Sequence, residues 1–239
     1  LPSFVMFLGL LVPLVGIAMG FDSVNSELQN RTLSRILSQP IYRDALLIGK
    51  ASSALAALAI TLLALWLLVI GAAMLIFGIP PSGEQIARAI TYFVITLFYG
   101  AFWFVLAMLF SVICSQQATS ALVSLAFWLL FTVFWPMIAN IIGGAFRTNP
   151  YKEALIKLGV SVVSPNTLYN EATLAMLHPT TRSMKPVLYS QMQNALFGRP
   201  LPFGQSLLLI WPHLSGLVAA VLVVFAIAYI KFQRNEIRA

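Results

Sequence analysis

The chain offers little with which to do chemistry. In 239 residues it holds seven acidic residues, two histidines (His178 and His213) and one cysteine, Cys114. A zinc site needs histidines, cysteines or carboxylates clustered at short spacing; the sequence has no such cluster, so no metal site is expected. Cys114 has no partner for a disulfide within the chain and reads as a small buried apolar residue at a span end. His213, directly after Pro212, reads as a helix-packing or interfacial residue. The eight methionines are scattered, which gives no support to a copper-thioether path. The nearest approach to a nucleotide motif is Gly49-Lys50. A phosphate-cradling loop reads GxxxxGK followed by Ser or Thr, whereas here Asp44 stands at the first glycine and Ala51 at the hydroxyl position. The chain is therefore expected to be non-catalytic and to bind no cofactor of its own.

The informative polar residues lie in two loops. The first, 21–50, reads FDSVNSELQNRTLSRILSQPIYRDALLIGK. Ser26 with Gln29 fits a capping box, which predicts a helix starting there. At 100° per residue, Leu28, Thr32, Leu33, Ile36 and Leu37 share one half of the wheel, while Asn30, Arg31, Ser34, Arg35 and Ser38 share the other. Gln29 is the exception on the apolar half. Pro40 stops this helix or starts the next. Two readings stay open: a helix resting on lipid headgroups, or a docking element for a cytoplasmic partner. Gly49-Lys50 would mark re-entry into the membrane.

The second loop, 144–205, is too long for a simple connector. Asn149-Pro150 predicts a helix ending near Gly159, Ser164-Pro165 a second closed by Pro179, and Pro186 a third running to Gly198. Six basic residues against two acidic give it a charge of +4. It is expected to be a small helical cap outside the membrane, binding an extracytoplasmic partner or covering the outer mouth.

The elements that position these loops follow from composition. Hydrophobic residues make up 60% of the chain and charged residues 9%, too few charges to cover a soluble surface. The class is all-α integral membrane, a polytopic helical bundle. Five stretches are long and apolar enough to span: about 1–20, 51–77, 90–114, 120–143 and 206–230. Pro13 and Pro136 should kink their spans. Around Pro212 either one long kinked helix or a helix beginning at the proline fits. No Asp, Glu, Lys or Arg lies within these spans, unlike an ion-coupled carrier, so energy for any transport should arrive through a docked partner. Gly16 and Gly20 form a GxxxG pair suited to packing within the chain or to a dimer seam. The net charge of +7 fits loops facing lipid headgroups; no basic, aromatic-laced stripe points to nucleic acid. The basic residues divide equally, seven to each face; the positive-inside rule applies to short loops, and six of the opposite seven lie in one loop of about 62 residues, which favours the 21–50 face as cytoplasmic, where the Asn30-Arg31-Thr32 sequon would be inert.

The run Glu27, Thr32-Leu33, Leu37-Ser38, Pro40-Ile41, Arg43 and Gly49-Lys50 resembles the cytoplasmic loop of ABC type-2 transporter permeases, more narrowly the branch assigned to multi-copper-enzyme maturation. The short hairpin at 78–89, the tight turn at 115–119 and the helical segment before the last span fit the same layout. The resemblance implies a six-span permease half, with a sixth span ahead of the first one seen, pairing with a second permease copy in the cell membrane. Cytoplasmic ABC ATPase subunits carrying ATP and Mg would dock on the loop. Glu27, Thr32, Leu33, Leu37, Ser38, Pro40 and Arg43 would form the docking region, with Glu27 and Arg43 as polar anchors. The loop and the C-terminus would be cytoplasmic. Arg31 departs from the glycine usual before Thr-Leu. A second expectation keeps the ATPase but drops transport, leaving a mechanical or structural subunit that acts on an extracytoplasmic partner.

Overall fold

A computed structural model describes residues 2–30, 43–78, 82–145, 150–177 and 202–234, and every element among them is helical. In chain order these are α1 (Pro2–Gly20), α2 (Asn25–Gln29), α3 (Arg43–Phe77), α4 (Gly83–Ile113), α5 (Gln117–Leu129), a π-helical segment (Leu130–Phe134) leading into α6 (Trp135–Gly144), α7 (Pro150–Ser161), α8 (Pro165–Leu177) and α9 (Phe203–Arg234). Among the described residues, five helices are long and apolar enough to cross a membrane. Their bounds enclose or nearly coincide with the five apolar stretches. The helices run further into polar sequence, because a helix continues past its apolar run until a breaker stops it. Thus α3 begins at Arg43 with Asp44 in its first turn, where a negative charge suits the helix N-terminus. Gly49-Lys50 lie inside it. Pro212 lies inside one continuous helix, which decides between the two readings left open there. The helix expected over 186–198 lies outside the described residues.

The chain forms two compact units. The first comprises Leu1–Gly78, Leu97–Trp128 and Val218–Ala239. Its core is made where α1 lies on α4. Leu8, Val12 and Ile17 of α1 are buried with Tyr99, Trp103, Phe104 and Met108 of α4 and Leu47 and Leu58 of α3. Glycine permits the close approach. A Cβ on Gly16 would stand 2.7 Å from the Gly100 carbonyl oxygen, and one on Gly20 would stand 2.5 Å from that of Phe104. The GxxxG pair is therefore occupied by packing within the chain.

The second unit comprises Ile79–Thr96 and Leu129–Leu217. α3 ends at Gly78, whose φ of 66° lies in the left-handed region that glycine tolerates. The capping box expected at Ser26 is found instead at Ser82: its N–H donates to Gln85 Oε1 at 2.9 Å, and the Gln85 N–H donates to Ser82 Oγ at 3.3 Å. Helices α7 and α8 start at Pro150 and Pro165, as the proline signals predict. Helices α7 and α8 form a hairpin that lies along the preceding apolar helix, not beyond its end. The Trp135 Nε1–H donates to the Val160 carbonyl at 2.9 Å, and the Ser164 hydroxyl donates to the Phe131 carbonyl at 3.3 Å. Phe131 is about 20 Å along the helix axis from Gly144, so the hairpin turn reaches far down the span.

Pro136 accounts for that last contact. Trp135 N–H bonds the carbonyl of Leu130, five residues back, which widens the helix to a π turn. The Phe131 carbonyl would then need the N–H of residue 136, and proline has none. Ser164 supplies the missing donor. Ser164→Ala should orphan this carbonyl and cost about 1–2 kcal/mol, read as a lower melting temperature of the purified protein with unchanged helix content by circular dichroism.

Candidate functional site

The 21–50 loop leaves α1 through the turn Phe21–Val24. The Phe21 N–H still bonds the Ile17 carbonyl at 3.0 Å, and the Ser23 hydroxyl bonds that of Gly20 at 2.8 Å, which closes α1 before the short helix α2. The first amides at the start of α2 have no helical acceptors. Those of Val24 and Asn25 both donate to Ser111 Oγ, at 3.0 and 3.1 Å. Ser111 is wholly buried near the end of α4, and Asn25 is also wholly buried. Two amide side chains extend the contact past Ser111: Asn25 Nδ2 reaches the Gln116 carbonyl at 3.4 Å and Gln29 Nε2 the Ser115 carbonyl at 3.3 Å. From α3, the Lys50 ammonium sits 2.7 Å from Glu27 Oε1 and also donates to the Ser23 carbonyl. Both charged side chains are partly buried, which raises the worth of the pair above that of an exposed one. The root of the loop is thus tied to α3 by Lys50 and to the α4–α5 turn by Ser111, Ser115 and Gln116.

The family described as ABC-2 family transporter protein is matched over residues 4–237. The chain belongs to the ABC-2 transporter family. No curated protein matches it. The match is to the ABC-2 family at large. It covers nearly the whole chain, all five spanning helices included, and marks this protein as a membrane-spanning permease of the ABC transporter kind.

The structure of the ABC-2 permease places one of the seven expected docking residues fully. Glu27 is on α2 with a carboxylate oxygen on Lys50. Thr32, Leu33, Leu37, Ser38 and Pro40 lie outside the described residues, and of Arg43 the backbone alone is described, as the first residue of α3. The capping role expected of Ser26 is not seen. Its hydroxyl donates back to the Asp22 carbonyl at 2.7 Å, α2 begins at Asn25 after Val24, and the cap is Ser111, from a helix remote in sequence. Ser111, Asn25 and Gln116 carried no signal in the sequence. Lys50 stood out there as part of Gly49-Lys50, but not as the partner of Glu27.

A second polar constellation stands in the unit that holds the hairpin. Arg88 donates to the Met176 carbonyl at 3.0 Å and to Ser206 Oγ at 3.2 Å, and it pairs with Glu84 at 2.7 Å. The hydroxyls of Tyr92 and Tyr169 are 2.9 Å apart. Glu171 Oε2 and His213 Nε2 are 2.7 Å apart, with His213 8% exposed. These contacts run the length of α8 and fasten it to the first turns of α4 and to α9. His213 is a packing residue, as its sequence context suggests, and its partner comes from the hairpin. No group of three or more metal-ligating residues occurs among the described residues.

Proposed function

We propose that this ABC-2 permease moves substrate across the cell membrane using ATP hydrolysed by separate cytoplasmic subunits that dock on the 21–50 loop. Nucleotide-driven closure of the ATPase pair pushes the loop, and the spans respond by exchanging one packing for another. A second permease copy completes the pathway. The loop and the C-terminus are cytoplasmic in this reading. The observation that carries it is the anchoring of the loop root: a docking loop can drive spans only if it is fixed to them, and the Glu27–Lys50 pair with the Ser111 contacts does that. The apolar positions Leu33 and Leu37 would supply contact area, and Glu27 and Arg43 would orient the docked surface. Glu27 Oε1 is engaged by Lys50, so its part is to hold the loop root in the shape the ATPase meets.

The test is capture. The Glu27→Ala, Arg43→Ala double variant should retain about a tenth or less of the ABC ATPase that the wild-type chain retains on an affinity resin. That loss corresponds to about 1.4 kcal/mol or more of binding free energy. Full retention, with the variant inserted and monodisperse, would remove both residues from the docking region.

A further inference from the structure

We infer that Ser111 is the joint through which the 21–50 loop moves the α4–α5 end of the bundle; this rests on the proposed function above. The argument begins with connectivity. Residues 21–42 are covalently continuous with α1 and α3 and with no other span. A push on the loop therefore reaches those two helices through the chain itself. To reach α4 and α5 it must cross a non-covalent contact, either the α1–α4 seam or the bonds made by the loop root itself. Among the described residues those bonds include two into Ser111 Oγ, one to the Ser115 carbonyl and one to the Gln116 carbonyl.

Of these, the Ser111 pair is the stiffest. Both donors are main-chain amides at 3.0 and 3.1 Å, so they carry no rotatable side chain of their own. The other two depend on amide side chains at 3.3 and 3.4 Å, one of them exposed. Ser111, Val24 and Asn25 are buried at 0%, 2% and 0% exposure, so water cannot replace the bonds in place, and breaking them orphans two amides. Displacing α2 must either break this joint or carry residues 111–116 along with it. Ser111 is thus a positioning residue for transport, holding α2 to the end of α4 just beyond the α1–α4 seam.

Cys114, the sole cysteine, lies three residues beyond Ser111 and is partly exposed, so it reports on the joint without any engineered label. The complex of the chain with its co-purified ABC ATPase, in detergent, is treated with a charged maleimide without nucleotide and after trapping with MgATP and orthovanadate. In wild type the Cys114 labelling rate should differ between the two states by about tenfold, the size of ordinary coupling between sites. Ser111→Ala should abolish that difference in whatever ATPase complex it forms, and Ser111→Thr, which keeps the hydroxyl, should restore it. An equal nucleotide response in Ser111→Ala and wild type overturns the joint while leaving the permease reading intact. Failure of any ATPase to accompany the wild-type chain overturns both. A measurement on wild type alone guards against a variant that does not fold. Amide exchange in residues 21–30 and 109–117 should change together on trapping, and a change in one segment without the other overturns the inference.

Discussion

Replacing His213 by leucine should lower the melting temperature of the purified protein by about 10 °C. The imidazole is mostly buried, and its Nε2 stands 2.7 Å from Glu171 Oε2. Leucine fills a similar volume but leaves the largely buried Glu171 carboxylate without its partner. Stripping one partner from a buried pair costs about 3–5 kcal/mol, and about 3 kcal/mol corresponds to several degrees in a protein of this size. The double variant Glu171→Gln, His213→Leu should recover a good part of the loss. A neutral amide is much cheaper to leave without its partner than a carboxylate is. The readout is thermal unfolding in detergent followed by tryptophan fluorescence. The effect should concentrate in the hairpin, where α8 loses its grip on α9, so proteolysis within 150–177 should rise before the protein aggregates. A single variant as stable as wild type would mean that the pair contributes nothing to holding α8 in place.

The same contact shows where sequence reading reaches its limit. The spans were legible because lipid demands about 20 apolar residues in a row, a signal that is local and strong. The starts of α7 and α8 were legible because proline at the first position of a helix needs no donor. The pairing of Glu171 with His213 was not, since the two lie on separate helices and nothing local joins them. The tie between α2 and Ser111 was hidden for the same reason. Ser26 and Gln29 satisfied the local pattern of a capping box, yet the helix starts one residue earlier and its first amides bond Ser111 on α4, while the pattern was realised at Ser82 and Gln85. Local rules state what an element needs. Which remote residue meets the need is a property of packing. Of the expected docking residues, Glu27 carries a described side chain and Arg43 a described backbone, so the candidate site is legible in structure at its root.

Gly20→Ala tests the packing that positions the loop, and it should be severe for so small a change. The added methyl group would lie 2.5 Å from the Phe104 carbonyl oxygen, 2.8 Å from Ala107 Cβ and 3.1 Å from the Met108 amide nitrogen. Two of these three neighbours are backbone atoms of α4, which cannot turn aside as a flexible side chain does. The helices must therefore separate, and the core contacts of Val12, Ile17 and Phe104 loosen with them. Overpacking of this kind costs about 1–3 kcal/mol. Here the upper end is expected, because Gly16, one turn away, meets the Gly100 carbonyl oxygen just as closely and cannot serve as a pivot. Gly71→Ala is the matched control: nothing lies within 4 Å of its added carbon. Alanine there should be neutral or stabilise α3 by up to about 1 kcal/mol. The pair of variants also separates two uses of a GxxxG seam. If Gly16 and Gly20 served a contact between copies, Gly20→Ala would change the oligomeric state and leave the melting temperature of the monomer alone. Packing inside the chain requires the reverse: a lower melting temperature at any protein concentration. Since α2 hangs from the end of α1 by the turn after Gly20, that loss should also free the Ser111 joint and raise amide exchange at Val24 and Asn25.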